Sequence, residues 1–174
     1  MTAAEVLDML DRLDAAGIEW WIDGGWGVDA LLGHETRPHD DLDFAVRAKD
    51  IERLPAIFPE FRHVDEDQWP SAYVLRDARG RQLDFHPLDF DERGSGWQPQ
   101  LDGGRYLWPR EALEAHGRIA GREVRCTSPA FQIESHLYDG YDDVDWADVV
   151  ALCEHFELPL PAGGAPGFVH ERRG

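Results

Sequence analysis

Three aspartates stand where their side chains could share a divalent cation. Asp41 and Asp43 begin a segment, residues 41–46, in which polar and apolar residues alternate as they do in a strand. Carboxylates two positions apart on a strand point to the same side, about 6.5–7 Å apart at the backbone. Asp84 lies between two apolar residues in a second predicted strand, where an unpaired buried carboxylate would be costly. The alternative for Asp84 is a solvent-facing position on an edge strand. Hard oxygen ligands of this kind suit Mg²⁺.

A pair of glycines precedes these aspartates. Residues 20–22 are bulky and predict a buried strand, which Gly24 and Gly25 interrupt. Residues 27–32 then predict about two turns of helix, ended by Gly33. A glycine turn before a helix exposes backbone N–H groups and the helix N-terminus, which together favour phosphate. The alternative is an ordinary tight turn. A phosphate cradle followed by a two-carboxylate metal site is typical of a nucleotidyl-transfer centre.

The rest of the chain predicts helices and strands that would position this centre. Thr2 and Glu5 form a capping-box pattern for a first helix that ends near Gly17. Ser128 followed by a proline predicts another helix start, with an end near Tyr138. The further predictions are helices at 49–58 and 109–116, strands at 72–76, 81–86 and 105–108, a hairpin at 118–126, a last helix capped by Asp145, and loops at 62–70 and 88–104.

Composition narrows the classes of protein. The chain has 174 residues, 43% hydrophobic and 11% aromatic, which predicts a globular domain. It carries 17 Lys and Arg against 35 Asp and Glu, for a net charge of −18. This charge disfavours nucleic acid as a partner and favours a cationic acceptor, or simply high solubility. Neither a membrane span nor a signal segment is expected, so the predicted location is cytoplasmic. Cys126 and Cys153 are predicted to be buried thiols.

The ordered motifs resemble those of a known superfamily. An ordered set of three motifs resembles the pattern of the nucleotidyltransferase superfamily: Asp23-Gly-Gly-Trp26, then Asp41-Leu-Asp43, then Asp84 on a later strand. Within it, the chain is similar to the small antibiotic nucleotidyltransferases, most to the lincosamide enzymes and next to the short aminoglycoside enzymes. The similarity covers roughly residues 4–155. It is also carried by Thr36-Arg37, His39-Asp-Asp-Leu-Asp43, Leu83-Asp-Phe-His-Pro87, Gly103-Gly104 and Gly140-Tyr141-Asp142.

The resemblance implies a fold and a domain plan. The expected class is α/β (α+β), with a mixed, mostly antiparallel twisted sheet, helices on one side and a helical C-terminal portion. Residues 1–158 would form a single nucleotidyltransferase domain, of which about 1–108 are the catalytic core and 109–158 the helical portion. Residues 159–174 are rich in Pro and Gly and predict a mobile tail.

The resemblance also implies roles for particular residues. Asp41, Asp43 and Asp84 would be catalytic and would hold Mg²⁺, two ions being expected. Gly24 and Gly25 would bind the nucleoside triphosphate, ATP being the first choice. Arg37 either binds its β- and γ-phosphates or forms an ion pair with nearby acids. His39 is predicted to order its loop, and His86 to be a structural histidine beside the charged site. The general base is Asp84 or a C-terminal carboxylate, for which the candidates are Glu134, Asp139 and Asp142.

By resemblance the acceptor is a hydroxyl of a small cationic antibiotic. The apolar part of a lincosamide would suit aromatic side chains, namely Trp69, Trp97, Tyr106 and Trp108. An aminoglycoside polycation would instead suit acids, namely Asp89, Asp91, Glu92, Asp139, Asp142 and Asp143. Three alternatives stay open: a toxin–antitoxin type enzyme acting on a protein or RNA, a degenerate nucleotide-binding member, and a metal-dependent phosphoesterase. The oligomeric state also stays open, with a homodimer as one candidate.

Overall fold

In the residues that the structure describes, the fold combines one large sheet with five α-helices. A computed structural model describes residues 1–64, 66–137 and 141–162. The α-helices in that part of the chain are α1 (Ala3–Ala15), α2 (Gly24–Leu32), α3 (Leu54–Ile57), α4 (Pro129–His136) and α5 (Asp143–His155). The strands are β1 (Trp20–Asp23), β2 (Asp41–Arg47), β3 (Arg62–Val64), β4 (Tyr73–Arg76), β5 (Gln82–Phe90), β6 (Gly96–Pro99), β7 (Arg105–Trp108), β8 (Ala115–Ile119) and β9 (Arg122–Cys126).

The sheet places β1, β2 and β5 at its centre. Its strands run in the order β3-β4-β5-β2-β1-β9-β8, and β6 pairs with the end of β5 and then with β7. The pairs β1–β9 and β2–β5 are parallel, and the other pairs are antiparallel. The predicted mixed, mostly antiparallel sheet is therefore confirmed.

Different helices pack against the two faces of the sheet. Ile22, Phe44 and Phe85 pack on one face with the apolar residues of α1. Because side chains alternate along a strand, Trp21 and Ala45 lie on the opposite face, where Phe131 of α4 packs against them. The prediction of helices on one side only is therefore wrong, since apolar residues on both faces of the central strands need cover.

Four predicted segments differ from the structure. Residues 49–58 form a 3₁₀-helix, Ala48–Arg53, followed by the single turn of α3, with Pro55 in that turn where its missing N–H does no harm. The loops predicted at 62–70 and 88–104 contain the short strands β3 and β6. The helix predicted at 109–116 is one 3₁₀ turn, Arg110–Leu113, and β8 begins at its end.

The predicted helix starts are mostly confirmed. Thr2 and Glu5 form the capping box of α1, and the Ser128 hydroxyl caps α4. The prediction that Asp145 caps the last helix is wrong. Asp142 is the cap of α5, and Asp145 accepts a hydrogen bond from the Asp142 backbone N–H at 3.0 Å, so both acids share one capping box. Helix α4 ends at His136, and its predicted end at residue 138 lies outside the described residues.

The region 109–158 contains more than helices. Its strands β8 and β9 extend the main sheet beside β1, while α4 and α5 pack against α2. The division into a catalytic core and a helical portion stays a prediction. The predicted tail lies outside the described residues from 163 onward. In the part of the chain that the structure describes, none of the helices has the length and apolar character needed to cross a bilayer.

Candidate active site

Three carboxylates form one row across the centre of the sheet. Asp23 of β1 is directly opposite Asp43 of β2, and Asp43 is in register with Asp84 of β5. Neighbouring strands lie about 4.8 Å apart, so adjacent members of this row are close. Asp41 lies two residues before Asp43, on the same face and in register with Gln82, which donates to Asp84 Oδ2 at 2.9 Å. The structure thus brings together the three aspartates that the sequence singled out.

The charges in this row act on one another. Burial raises the pKa of Asp43 well above its ordinary value, and the carboxylates of Asp84, Asp41 and Asp23 raise it further. The Arg37 guanidinium opposes this effect but does not cancel it. Asp23, itself buried, accepts a hydrogen bond from the Thr127 hydroxyl at 2.6 Å. The row is therefore a site of excess negative charge that a cation would stabilise.

The donor set of this row fits a hard divalent cation. Its ligands would be carboxylate oxygens, which Mg²⁺ prefers. Among the residues that the structure describes, no group of three or more His, Cys, Asp or Glu side chains is already arranged to hold an ion alone. Mg²⁺ commonly binds through one or two carboxylates and completes its shell with water and substrate phosphates, so such a group is not required. The ligand set Asp41, Asp43 and Asp84 stays a prediction.

Gly24 and Gly25 are the first residues of α2, and each leaves space for a site residue. A Cβ on Gly24 would lie 2.1 Å from Asp43 Oδ2, and the φ of Gly24 is +59°. A Cβ on Gly25 would lie 2.4 Å from the Nδ1 atom of His39 and 3.0 Å from the Nη2 atom of Arg37. The pair thus lets the N-terminus of α2 lie against Asp43 and the Arg37 loop. Binding of phosphate by these glycines stays a prediction.

Arg37 is held by a chain of hydrogen bonds. Its Nη2 donates to Asp148 Oδ2 at 3.1 Å, and its Nη1 donates to His39 Nδ1 at 3.0 Å. Because a guanidinium only donates, His39 Nδ1 accepts, and its Nε2–H donates to Asp29 Oδ2 at 2.6 Å. Asp29 also accepts from the Thr36 backbone N–H and hydroxyl. Arg37 therefore forms an ion pair with Asp148, and its contact with phosphate stays a prediction.

Asp148 has a second neighbour that can carry a positive charge, His136 at the end of α4. His136 Nδ1 donates to the Gln132 carbonyl at 2.8 Å, and its Nε2 lies 3.7 Å from Asp148 Oδ2. Burial acts to lower the pKa of His136, but Asp148 and Asp23 outweigh it, and the net shift is upward. Burial acts to raise the pKa of Asp148, but His136 and Arg37 outweigh it, and the net shift is downward. When His136 is protonated, its imidazolium and the Asp148 carboxylate stabilise each other.

His86 is oriented toward Asp43 by a buried glutamine. Trp108 Nε1 donates to Gln98 Oε1 at 2.9 Å, which fixes the orientation of the Gln98 amide. Gln98 Nε2 therefore donates to the Ser71 carbonyl at 2.8 Å and to His86 Nδ1 at 3.1 Å. The opposite nitrogen of His86, Nε2, lies 3.9 Å from Asp43 Oδ1. His86 lies beside the charged row, as the sequence predicted for a structural histidine.

A pocket of about 340 Å³ opens onto the carboxylate row. Asp23, Gly24 and Asp43 form its base. Strands β6 and β7 form one wall, and α4 and α5 form the other. The wall residues are Gln98, Gln100, Tyr106 and Trp108 on the first side, and Ser135, His136 and Asp145 on the second. A ligand in this pocket would contact carboxylates at its base, aromatic rings on one side and a histidine on the other.

The C-terminal candidates for the general base occupy different positions. Glu134 is exposed on α4. Asp142 lies at the exposed start of α5, where its Oδ1 atom accepts hydrogen bonds from the backbone N–H groups of Val144 and Asp145. Asp139 lies outside the described residues. Asp145 lines the pocket, and the sequence analysis did not include it among the candidates. The choice between Asp84 and a C-terminal carboxylate stays open.

Three further site residues received no role in the sequence analysis. Asp23 ends β1, and its place beside Asp43 follows only from the antiparallel pairing of β1 with β2. Asp148 was detectable as an acid beside the apolar residues of the last helix, because a buried carboxylate needs a partner. His136 gave no signal, since the fold alone brings α4 next to α5.

Comparison with known proteins identifies the family of this chain. The model of the aminoglycoside-2''-adenylyltransferase family matches residues 5–152. A lincosamide resistance protein of Staphylococcus haemolyticus is 29% identical over 159 residues, which cover 91% of this chain and 92% of that protein. A 2''-aminoglycoside nucleotidyltransferase of Escherichia coli is 30% identical over 152 residues, which cover 79% of this chain and 75% of that protein.

Solved structures show the same fold. The lincosamide adenylyltransferase LnuA with bound lincomycin superimposes with a TM-score of 0.73 at 26% identity, over 87% of this chain and 96% of that one. ANT(2'')-Ia in complex with adenylyl-2''-tobramycin gives a TM-score of 0.71 at 23% identity, over 88% of each chain, and supports the fold alone. The fold and the relatives define an enzyme of the nucleotidyltransferase class. This chain belongs to the aminoglycoside-2''-adenylyltransferase family, whose relatives are antibiotic resistance enzymes.

Proposed function

We propose that the protein transfers AMP from ATP to a hydroxyl of a small cationic antibiotic, and that the acceptor is a lincosamide. The observation that carries this proposal is the pocket, which joins a row of carboxylates to an aromatic wall. The carboxylates suit a metal-bound triphosphate, and the wall suits an acceptor with an apolar part. The lincosamide relative also matches nearly the whole of both chains.

The reaction would be an in-line substitution at the α-phosphorus. The acceptor oxygen forms a new bond to that phosphorus, the bond to the bridging oxygen of the β-phosphate breaks, and pyrophosphate leaves with the electron pair. The acceptor proton passes to a carboxylate, which is Asp84 or a C-terminal acid such as Asp145. Asp84 is beside Asp43 in the row, and Asp145 lines the pocket wall, so either could be reached from an acceptor in the pocket.

Positioning of the triphosphate would fall to α2 and the Arg37 loop. The N-terminus of α2 begins at Gly24 at the base of the pocket, and a helix of nine residues carries a partial positive charge there. Arg37 lies beside Gly25, where its planar fork suits phosphate oxygens. Mg²⁺ held by Asp41, Asp43 and Asp84 would neutralise the phosphate charge that these carboxylates otherwise repel.

The pocket lining favours a lincosamide over an aminoglycoside. Of the aromatic residues predicted for an apolar acceptor, Tyr106 and Trp108 line the pocket, and Trp108 packs on Phe131 at a ring distance of 4.6 Å. Of the acids predicted for a polyamine, none that the structure describes belongs to the pocket lining. Asp91, for example, accepts backbone N–H groups of the turn before β6.

An aminoglycoside is the second candidate. Two observations favour it: the matching family is named for aminoglycoside modification, and the net charge of −18 would attract a polycation. The dependence of the acceptor KM on salt concentration distinguishes the two acceptors. Attraction between a polycation and an acidic pocket weakens steeply with ionic strength, whereas apolar contact does not.

The test is to incubate the protein with ATP, Mg²⁺ and a panel of lincosamides and aminoglycosides, and to weigh the products by mass spectrometry. We expect lincosamides to gain one adenylyl group and their KM to change little between low and high salt. Products from aminoglycosides alone, with a KM that rises many-fold in salt, would replace the lincosamide assignment. If neither class is modified, the antibiotic acceptor is wrong and a protein or RNA acceptor becomes the leading hypothesis.

A further inference from the structure

A buried carboxylate joins the two C-terminal helices to the Arg37 loop. The side chain of Asp148 on α5 is 5% exposed, and its Oδ2 atom is 3.1 Å from Arg37 Nη2 and 3.7 Å from His136 Nε2. The two groups come from segments about a hundred residues apart in sequence. One oxygen of Asp148 therefore links Arg37 to His136, in addition to the bonds that Arg37 makes to His39 and His136 makes to the Gln132 carbonyl.

The two side chains lie near the N-terminus of α2. His136 lines the pocket together with Asp23 and Gly24. Arg37 lies against Gly25, the next residue of α2. The Arg37 side chain is 36% exposed, and its Nε atom is buried without a hydrogen-bond partner. A guanidinium with an unused donor beside a helix N-terminus is a configuration that suits an anion.

The charges around His136 favour its protonated form. From α5 it faces Asp148 and Asp145, and from β1 it faces Asp23. Asp43 and the titratable side chain of His86 line the same pocket, and Arg37 binds the same Asp148 oxygen. Its Nδ1–H is already used by the Gln132 carbonyl. The Nε2–H side is therefore the donor that remains for Asp148 or for a ligand.

We propose that Asp148 positions Arg37 and His136 as a pair of cations that binds the β- and γ-phosphate oxygens of ATP. Asp148 is a positioning residue, since it acts through its two partners, and His136 is the new phosphate contact. The proposal rests on the use of a nucleoside triphosphate in the proposed function. It does not depend on the acceptor.

A purely structural ion pair makes a different prediction. Removing one partner of a buried pair destabilises the fold wherever the pair lies. Asp50 offers a matched control, because its carboxylate is 8% exposed and bonds to Arg53 at 2.7 Å, and both residues lie outside the pocket. If Asp148 were only structural, Asp148→Asn and Asp50→Asn would each lower the melting temperature, and neither would change the affinity for ATP.

The experiment measures equilibrium binding of ATP, AMP and inorganic pyrophosphate in the presence of Mg²⁺ and without acceptor. We expect His136→Asn to weaken ATP and pyrophosphate by about tenfold or more and to leave AMP nearly unchanged, because a charged hydrogen bond to phosphate is lost. Asparagine keeps a donor near the Gln132 carbonyl and removes the charge. Asp148→Asn should give a similar loss, and Asp50→Asn none.

The pH dependence of ATP binding distinguishes a role of Asp148 in positioning His136 from a role in stability alone. The ratio of ATP affinities of the wild type and His136→Asn cancels the titration of ATP itself. This ratio should fall as pH rises through the pKa of His136, and in an Asp148→Asn background the fall should begin at lower pH. Equal ATP affinities for wild type, His136→Asn and Asp148→Asn in folded proteins would overturn the proposal. If the wild type itself fails to bind ATP, the proposed function fails instead.

Discussion

Alanine at Gly24 should remove activity by moving one carboxylate. The added Cβ would lie 2.1 Å from Asp43 Oδ2 and 2.8 Å from its Cγ, whereas ordinary contact begins at 3.4 Å. The Asp43 carboxylate must therefore move by about 1.3 Å, or the start of α2 must shift by as much. Misplacement of a reacting group by about 1 Å can cost roughly 100-fold in rate, so we expect the adenylyl-transfer rate to fall by about that factor.

Gly33, at the other end of the same helix, provides the control. Its φ is +78°, against +59° for Gly24, but a Cβ there would meet no atom within 4 Å. Both alanine variants pay a backbone cost of roughly 1–2 kcal/mol, because an L residue is strained at positive φ. For a chain of this size that corresponds to a fall in melting temperature of about 2–8 °C in each. Steady-state assays of adenylyl transfer should find Gly33→Ala active and Gly24→Ala about 100-fold slower. A Gly24→Ala enzyme within threefold of wild type would refute the reasoning.

Three further predictions concern charge. Asp43→Asn and Asp84→Asn should each lower the transfer rate by several orders of magnitude and leave the melting temperature unchanged or higher, because the clustered carboxylates repel one another; a folded variant with near-normal turnover would contradict this. Because burial and the Asp23 charge raise the pKa of Cys126 to about 12, its thiol should not react with a thiol reagent at pH 8 until the protein unfolds, and rapid native labelling would contradict its burial. Because the fold raises the pKa of His136, protonation of this side chain contributes to the free energy of unfolding. The contribution is complete below the ordinary imidazole range and is lost as pH rises through the folded-state pKa of His136. Denaturant unfolding should show that loss in the wild type and not in His136→Asn.

The sequence predicted the strand pairs and helices whose patterns are strong. Alternation identified β2 and the first part of β5, and capping residues identified the starts of α1 and α4. The short strand β3 was missed because it lies at the edge of the sheet, where exposed polar residues hide the alternation. The strand β6 was missed because two of its four residues are Gly96 and Pro99, which are uncommon inside strands. Helices on both faces were missed because a pattern read along one strand does not say which helix covers Trp21 and Ala45.

The site also contains residues that the sequence predicted and residues that only the fold brings together. Asp41, Asp43 and Asp84 were predicted together because spacing and a lone acid in an apolar strand are visible in sequence. The row that joins Asp43 to Asp23 depends on strand register, which is a property of the pairing and not of either segment alone. The link from Arg37 through Asp148 to His136 spans three segments distant in sequence, and only the packing of α4 and α5 against α2 creates it.

The proposed reaction at the carboxylate row transfers a nucleotidyl group and not a phosphoryl group. The most direct measurement supplies ATP labelled at the α- or the γ-phosphate, with Mg²⁺ and lincomycin, to wild type and to Asp43→Asn. We expect the α label to enter the antibiotic, the γ label to leave in pyrophosphate, and Asp43→Asn to transfer neither. Transfer of the γ label to the antibiotic, or undiminished transfer by the variant, would contradict it.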